Sequence, residues 1–168
     1  MTIRSLGYAL LLLSALGFLA ACGSDDGPTA QSPGQGSINA TINGSAWAVS
    51  TPFTSAQNNV GGAVFVITAA DPNQTYGLAI SLSDFAGAGT YEIRPGFPLR
   101  MAVVTLGTEQ GWGTQYSEVP GTITITSLTD SRVTGTFSFT AEPSPSSSQT
   151  ETLTVVNGQF DIPVIEVG

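Results

Sequence analysis

Residues 37–50 read SINATI, Asn43-Gly44, SAWAVS, and this stretch constrains the fold more than any other. A type I′ turn needs positive φ at both central positions, which Asn and Gly tolerate, and its twist matches that of two paired strands. A two-residue loop also fixes the register, so that Ile42 faces Ser45, Ala40 faces Trp47 and Ile38 faces Val49. The pairs Ala40/Trp47 and Ile38/Val49 then share one face. Small Ala40 leaves room for the indole, which places Trp47 in the core rather than against a ligand.

Period-two patterning continues along the chain. Tyr76, Leu78, Ile80 and Leu82 alternate with small residues, as do Ile123 with Ile125 and Val133 with Phe137 and Phe139. The run GGAVFVITAA (61–70) is continuously apolar and suits a strand buried on both faces, and LRMAVVTL (99–106) reads as a further strand. A second Asn-Gly, Asn157-Gly158, sits between ETLTVV and QFDIPV. It is expected to close a hairpin that pairs Val155 with Phe160 and Leu153 with Ile162, leaving Asp161 on the solvated face. No segment shows a helical period. Only 10% of residues are charged, and twenty glycines and ten prolines supply turns. The expected fold is all-β: a single antiparallel β-sandwich of about nine strands over 37–168, with a small β-barrel as the alternative.

The first 21 residues have the organisation of an export signal. Arg4 is the positive start, Leu6 to Leu19 an apolar stretch, and Ala20-Ala21 the small residues before a cleavage point. The apolar stretch is shorter than the roughly 20 residues that span a bilayer. Residues 23–36, GSDDGPTAQSPGQG, lack any large apolar side chain and read as a disordered tether with a root-mean-square reach of about 20 Å. The lone cysteine, Cys22, stands between the two. Leu19-Ala20-Ala21-Cys22 resembles the lipobox of bacterial lipoproteins. That resemblance implies acylation of Cys22 after cleavage in front of it, and so a membrane partner reached through lipid. Gly23 and Ser24, where an inner-membrane retention aspartate would stand, favour the outer membrane of the cell envelope by the same resemblance.

Further similarity lies in the order of Asn43-Gly44-x-x-Trp47, Gly89-Thr90-Tyr91, Gly121-Thr122-Ile123-Thr124-Ile125, Gly135-Thr136-Phe137-Ser138-Phe139 and Asn157-Gly158-Gln159-Phe160. This layout, over about residues 38–162, resembles a group of uncharacterised bacterial lipoprotein domains. The resemblance implies one all-β domain behind a lipid anchor and transfers no functional residue.

The residue inventory excludes much chemistry. The chain has no histidine and no lysine, which removes Ser/His and Cys/His nucleophiles and lysine bases. With Cys22 committed to lipid, zinc would have only carboxylates to bind. Net charge is −8. Beyond Arg4 the balance is three arginines against twelve acids, or −9, which repels phosphate backbones, so no nucleic-acid partner is expected. No cofactor is expected either.

Asp84, Glu92, Glu109, Glu118 and Glu142 are the acids by which a glycoside hydrolase would work, if two of them faced a cleft. Asp71 and Asn73, in the turn Asp71-Pro72-Asn73-Gln74-Thr75, are weak candidate calcium ligands without the acid spacing of an EF-hand. The stretch GTEQGWGTQYSEVPG (107–121) lacks alternation and is expected to be a long loop. There Trp112 and Tyr116, with Gln110 and Gln115, are the candidate ligand-binding residues for a glycan or an envelope protein; the competing reading folds Trp112 back over one end of the sandwich. The expected function is a lipid-anchored envelope lipoprotein acting as a non-enzymatic binding or assembly module. One alternative is a carboxylate-dependent glycoside hydrolase on envelope polysaccharide. Another is a structural subunit of an envelope complex.

Overall fold

A computed structural model describes residues 35–50, 54–59, 64–70, 73, 76–96, 98–107 and 109–167. Cys22, the expected signal and most of the expected tether lie outside the described residues. The opening hairpin is formed by β1 (Ser37–Ile42) and β2 (Ser45–Ser50), with φ of 46° at Asn43 and 81° at Gly44. Its register is the expected one, Ile42 to Ser45, Ala40 to Trp47 and Ile38 to Val49. Ile38, Ala40, Trp47 and Val49 are all buried, and the Trp47 indole N–H donates to the Tyr76 carbonyl at 3.0 Å.

The chain continues through β3 (Thr54–Asn59), β4 (Val64–Ala70), β5 (Tyr76–Ser83), β6 (Gly89–Ile93), β7 (Arg100–Leu106), β8 (Glu109–Gly113), β9 (Gly121–Leu128), β10 (Arg132–Pro143) and β11 (Leu153–Val167). One sheet is wholly antiparallel, in the order β6-β9-β10-β11-β1-β2. Beyond Pro163, β11 changes partners and pairs in parallel with β3, Val164 opposite Ala56. From β3 the second sheet runs β4-β5-β7-β8, and β8 returns to the end of β10, with Gly113 opposite Glu142. The two long strands β10 and β11 therefore belong to both sheets and close a barrel-like ring. Among the described strands, β2 and β6 alone have a single strand neighbour, and just beyond β6 Arg94 forms an isolated bridge with Arg100 at the start of β7.

The closing Asn157-Gly158 hairpin is a correction: no reversal occurs there. β11 is one continuous strand, and the dipeptide forms a bulge in it. On the β1 side the register jumps between Asn39 and Thr41, which oppose Gln159 and Val156. On the β10 side it jumps between Phe137 and Phe139, which oppose Gly158 and Val155. Asn157 has a φ of 54°. An extra residue reverses the side-chain parity of everything after it. Leu153 and Val155 before the bulge, and Phe160 and Ile162 after it, thus all reach the core. Gly158 lies against the Phe137 ring, where an added Cβ would come within 2.5 Å.

The core fills the space between the inner faces. Ile38, Ile123, Ile125, Leu153 and Ile162 come from the antiparallel sheet, and Phe65, Ile67, Ile80, Leu82 and Val104 from the second. On β4 only Phe65, Ile67 and Ala69 are fully buried, while Val64, Val66 and Thr68 are half-buried. That strand is fully buried on one face and only half-buried on the other, rather than buried on both as its unbroken apolar run suggested.

Candidate functional site

The stretch expected to be a long loop is in large part regular structure. Its first part is β8, followed by a 3₁₀ turn at Thr114–Tyr116. Trp112 is 5% exposed; its indole N–H donates to the Glu151 carbonyl at 2.7 Å, and its ring meets Tyr76 edge-on at 6.0 Å. Thr114 is buried and its hydroxyl accepts from the Ala102 N–H at 2.9 Å. Gln115 is half-buried and lies over Gly113, where a Cβ would meet its amide oxygen at 2.4 Å. Tyr116 is 41% exposed. Trp112 and Tyr116 therefore do not share an exposed platform: a large apolar ring with a satisfied N–H is better placed inside. The side chains of Gln110 and Glu109 lie outside the described residues.

The other candidates are dispersed. Asp71 lies outside the described residues, and Asn73 is exposed in its turn. Among the described residues no group of three or more His, Cys, Asp or Glu side chains gathers. Glu92 lies 3.4 Å from Arg94 on an exposed edge. Glu142 accepts from the Thr152 hydroxyl on both oxygens, at 3.1 and 3.0 Å. Asp161 is ion-paired with Arg132, and Asp84 and Glu118 are exposed.

A more organised surface is the outer face of the antiparallel sheet, which sequence reasoning passed over. Strand alternation puts Ile123, Ile125, Phe137 and Phe139 inward and therefore Thr122, Thr124, Thr136 and Ser138 outward. Register then aligns them across strands. Thr90 opposes Thr124, Thr124 opposes Thr136, Thr136 opposes Gln159, and Gln159 opposes Asn39, so one row of hydroxyls and amides crosses β6, β9, β10, β11 and β1. The Thr90 and Thr124 hydroxyls bond to each other at 3.0 Å, and Thr126 and Thr134 do so at 2.9 Å.

Three shallow grooves run into one another on this face. The largest, about 570 Å³, surrounds the bulge and is lined by Thr122, Thr136, Ser138, Val156, Asn157 and Gln159 among others. A second of about 420 Å³ shares Asn157 and Gln159 with it and extends over Asn39 and Thr41 to β2. A third of about 210 Å³ shares Thr136 and Gln159 and ends at Asp161. Gln159 lines all three. Charge is confined to the rim, where Glu92 lies beside Arg94 and Asp161 is paired with Arg132. The signal is present in the Thr-x-Thr-x-Thr and Thr-x-Thr-x-Ser alternation of β9 and β10, of which sequence reasoning uses only the apolar half.

A family model described as a domain of unknown function, DUF6252, matches residues 34–163. The chain belongs to the DUF6252 family. No curated protein and no solved structure matches it. The DUF6252 match takes in every strand of the hydroxyl- and amide-bearing face and ends at Pro163, where β11 leaves β10 and turns to β3. It agrees with the resemblance to an uncharacterised domain group, and its description assigns no activity.

Proposed function

We propose that this DUF6252 domain is a non-enzymatic binding module of the bacterial envelope, anchored by lipid on Cys22, and that the outer face of its antiparallel sheet takes a neutral, hydroxyl-rich polymer such as a glycan strand. The observation that carries this reading is the uncharged row from Thr90 to Asn39, with grooves meeting at Gln159. Each Thr hydroxyl donates one hydrogen bond and accepts others, and each Asn or Gln amide offers two donors and an acceptor. Outward side chains recur about every 4.8 Å across the strands and about every 7 Å along them. Such a lattice suits a repeating chain, whereas small-molecule sites are enclosed and mostly apolar. A polyanion is disfavoured, because the chain carries a net −8. The signal and the Leu19-Ala20-Ala21-Cys22 sequence support the anchor.

Two measurements test the two halves. Pull-down on insoluble neutral polysaccharides and on cell-wall sacculi should retain the protein, and Gln159→Ala with Thr136→Val should reduce retention at least tenfold while the melting temperature changes little. Unchanged retention in that double variant removes the face as the site. In cell fractionation, Cys22→Ser should move the protein out of the membrane pellet; a variant that still pellets refutes the lipid anchor.

A further inference from the structure

Among the described strands the antiparallel sheet ends at two edges, β6, beyond which Arg94 bridges to Arg100 of β7, and β2, and the sequence treats them differently. β6, at one edge, carries Glu92 and is followed by Arg94 and Pro95. Charges on an edge are a usual means of preventing further strand pairing. β2, at the other edge, reads SAWAVS, without a charge, and is followed by Pro52 much as β6 is followed by Pro95, so the difference between the edges is one of charge. The contrast extends beyond the strand. Residues 27–70, which include β1 to β4, contain no Asp, Glu, Lys or Arg in a chain of net charge −8.

The backbone of β2 is set up to accept a neighbour. The type I′ turn joins Ile42 and Ser45 as a hydrogen-bonded pair, and such pairs recur at every second residue of an antiparallel ladder. Ser45, Trp47 and Val49 therefore direct their N–H and C=O groups to β1. Ala46, Ala48 and Ser50 direct theirs off the open edge, and all three residues are exposed.

We infer that β2 pairs antiparallel with β2 of a second copy of this chain, across a two-fold axis through Ala48. In that register Ala48 opposes the same residue of the second copy and Ala46 opposes Ser50, so only small side chains meet. Two molecules of like charge then approach through strands of the charge-free segment 27–70. The antiparallel sheet and its outer face continue across the junction. Because β6 is guarded, the contact is isologous and closes at a dimer instead of running on into a fibre. The inference is independent of what the sheet face binds.

The test uses the full chain in detergent. Sedimentation velocity should show a dimer, and Ala48→Lys should convert it to a monomer with an unchanged circular-dichroism spectrum and melting temperature. Ala48→Pro removes only an N–H that points off the edge, so it too should give a folded monomer. If either variant folds poorly, Ala48→Cys decides. Hydrogen-bonded pairs hold Cα atoms about 5.5 Å apart, within disulfide reach. Mild oxidation should therefore link that variant into a dimer well above the background set by the unsubstituted chain with its Cys22, whereas Thr90→Cys on β6 should stay at background. A full chain that is monomeric, a dimer that survives both Ala48→Lys and Ala48→Pro, or no linkage at position 48 overturns the inference. So does a chain that stays monomeric and takes up a different extended peptide along β2.

Discussion

Trp112 separates two accounts of residues 107–121. On the surface it would stack on a ligand and contribute little to stability. It is instead interior, with its indole N–H on the Glu151 carbonyl and its ring against Tyr76. Trp112→Phe keeps much of the packing and orphans that carbonyl, which should cost about 1–3 kcal/mol. Trp112→Ala adds a cavity and should cost about 3–5 kcal/mol. Urea unfolding with an unchanged m-value is the measurement, and polymer retention by the Phe variant should equal that of the parent. A Trp112→Phe protein of full stability that no longer retains polymer would return the site to this segment. Burial was hard to read here because Gly111 and Gly113 flank the indole and leave no alternation to see. Both are themselves buried, Gly113 beneath Gln115. Trp47, by contrast, was legible as core, since its packing partner Ala40 lies just across a two-residue turn.

At the scale of elements, the same dipeptide does two things. Asn43-Gly44 reverses the chain, and Asn157-Gly158 does not, although both asparagines have φ near +50°. The dipeptide specifies only the positive φ. Whether the chain turns depends on what the flanking strands find to pair with. ETLTVV and QFDIPV have β1 and β10 on either side, and pairing with both leaves neither half free to fold back on the other. The hairpin reading still put Leu153, Val155, Phe160 and Ile162 on one face, because a turn and a single-residue bulge restore the same parity. Deleting Asn157 should remove that parity and turn either Leu153 and Val155 or Phe160 and Ile162 outward. Two large apolar side chains exposed cost about 3–6 kcal/mol, a large part of a typical domain's net stability. The deletion should abolish cooperative unfolding, whereas Asn157→Gly, which keeps the backbone conformation accessible, should fold. A cooperative transition in the deletion variant would mean that the bulge does not set the register. β3 escaped notice for a related reason. TSAQNN shows no apolar alternation; Ala56 is its one apolar residue and is fully buried. What makes it a strand is β4 on one side and the end of β11 on the other, pairings with no local trace.

At the scale of the molecule, the fold class was legible, and closure only as the small-barrel alternative. Period-two patterning and abundant turn residues specify strands, yet nothing local says that β10 and β11 outrun one sheet and enter another. Closure rests on a short parallel ladder, Val164 opposite Ala56 through Val167 opposite Asn59, and on the return of β8 to Glu142 and Pro143. The β1 contact with β11 is equally remote in sequence: the Asn43 side chain accepts from the Thr154 N–H at 2.8 Å, 111 residues away. Such non-local pairing places folding in the slow range, of order milliseconds to seconds. Truncation after Pro163 isolates the contribution of the ring. It leaves the antiparallel sheet paired but strips β3 of one neighbour, exposing a polar, charge-free edge. The truncated protein should unfold at lower urea concentration and should assemble through β3 into species larger than those of the full chain, because an open edge without charges invites pairing. Sedimentation velocity and urea unfolding read the two effects separately. A truncated chain with the parent's midpoint and the parent's size distribution would show that the antiparallel sheet and its core hold the molecule without closure, and that the turn of β11 toward β3 adds nothing to stability.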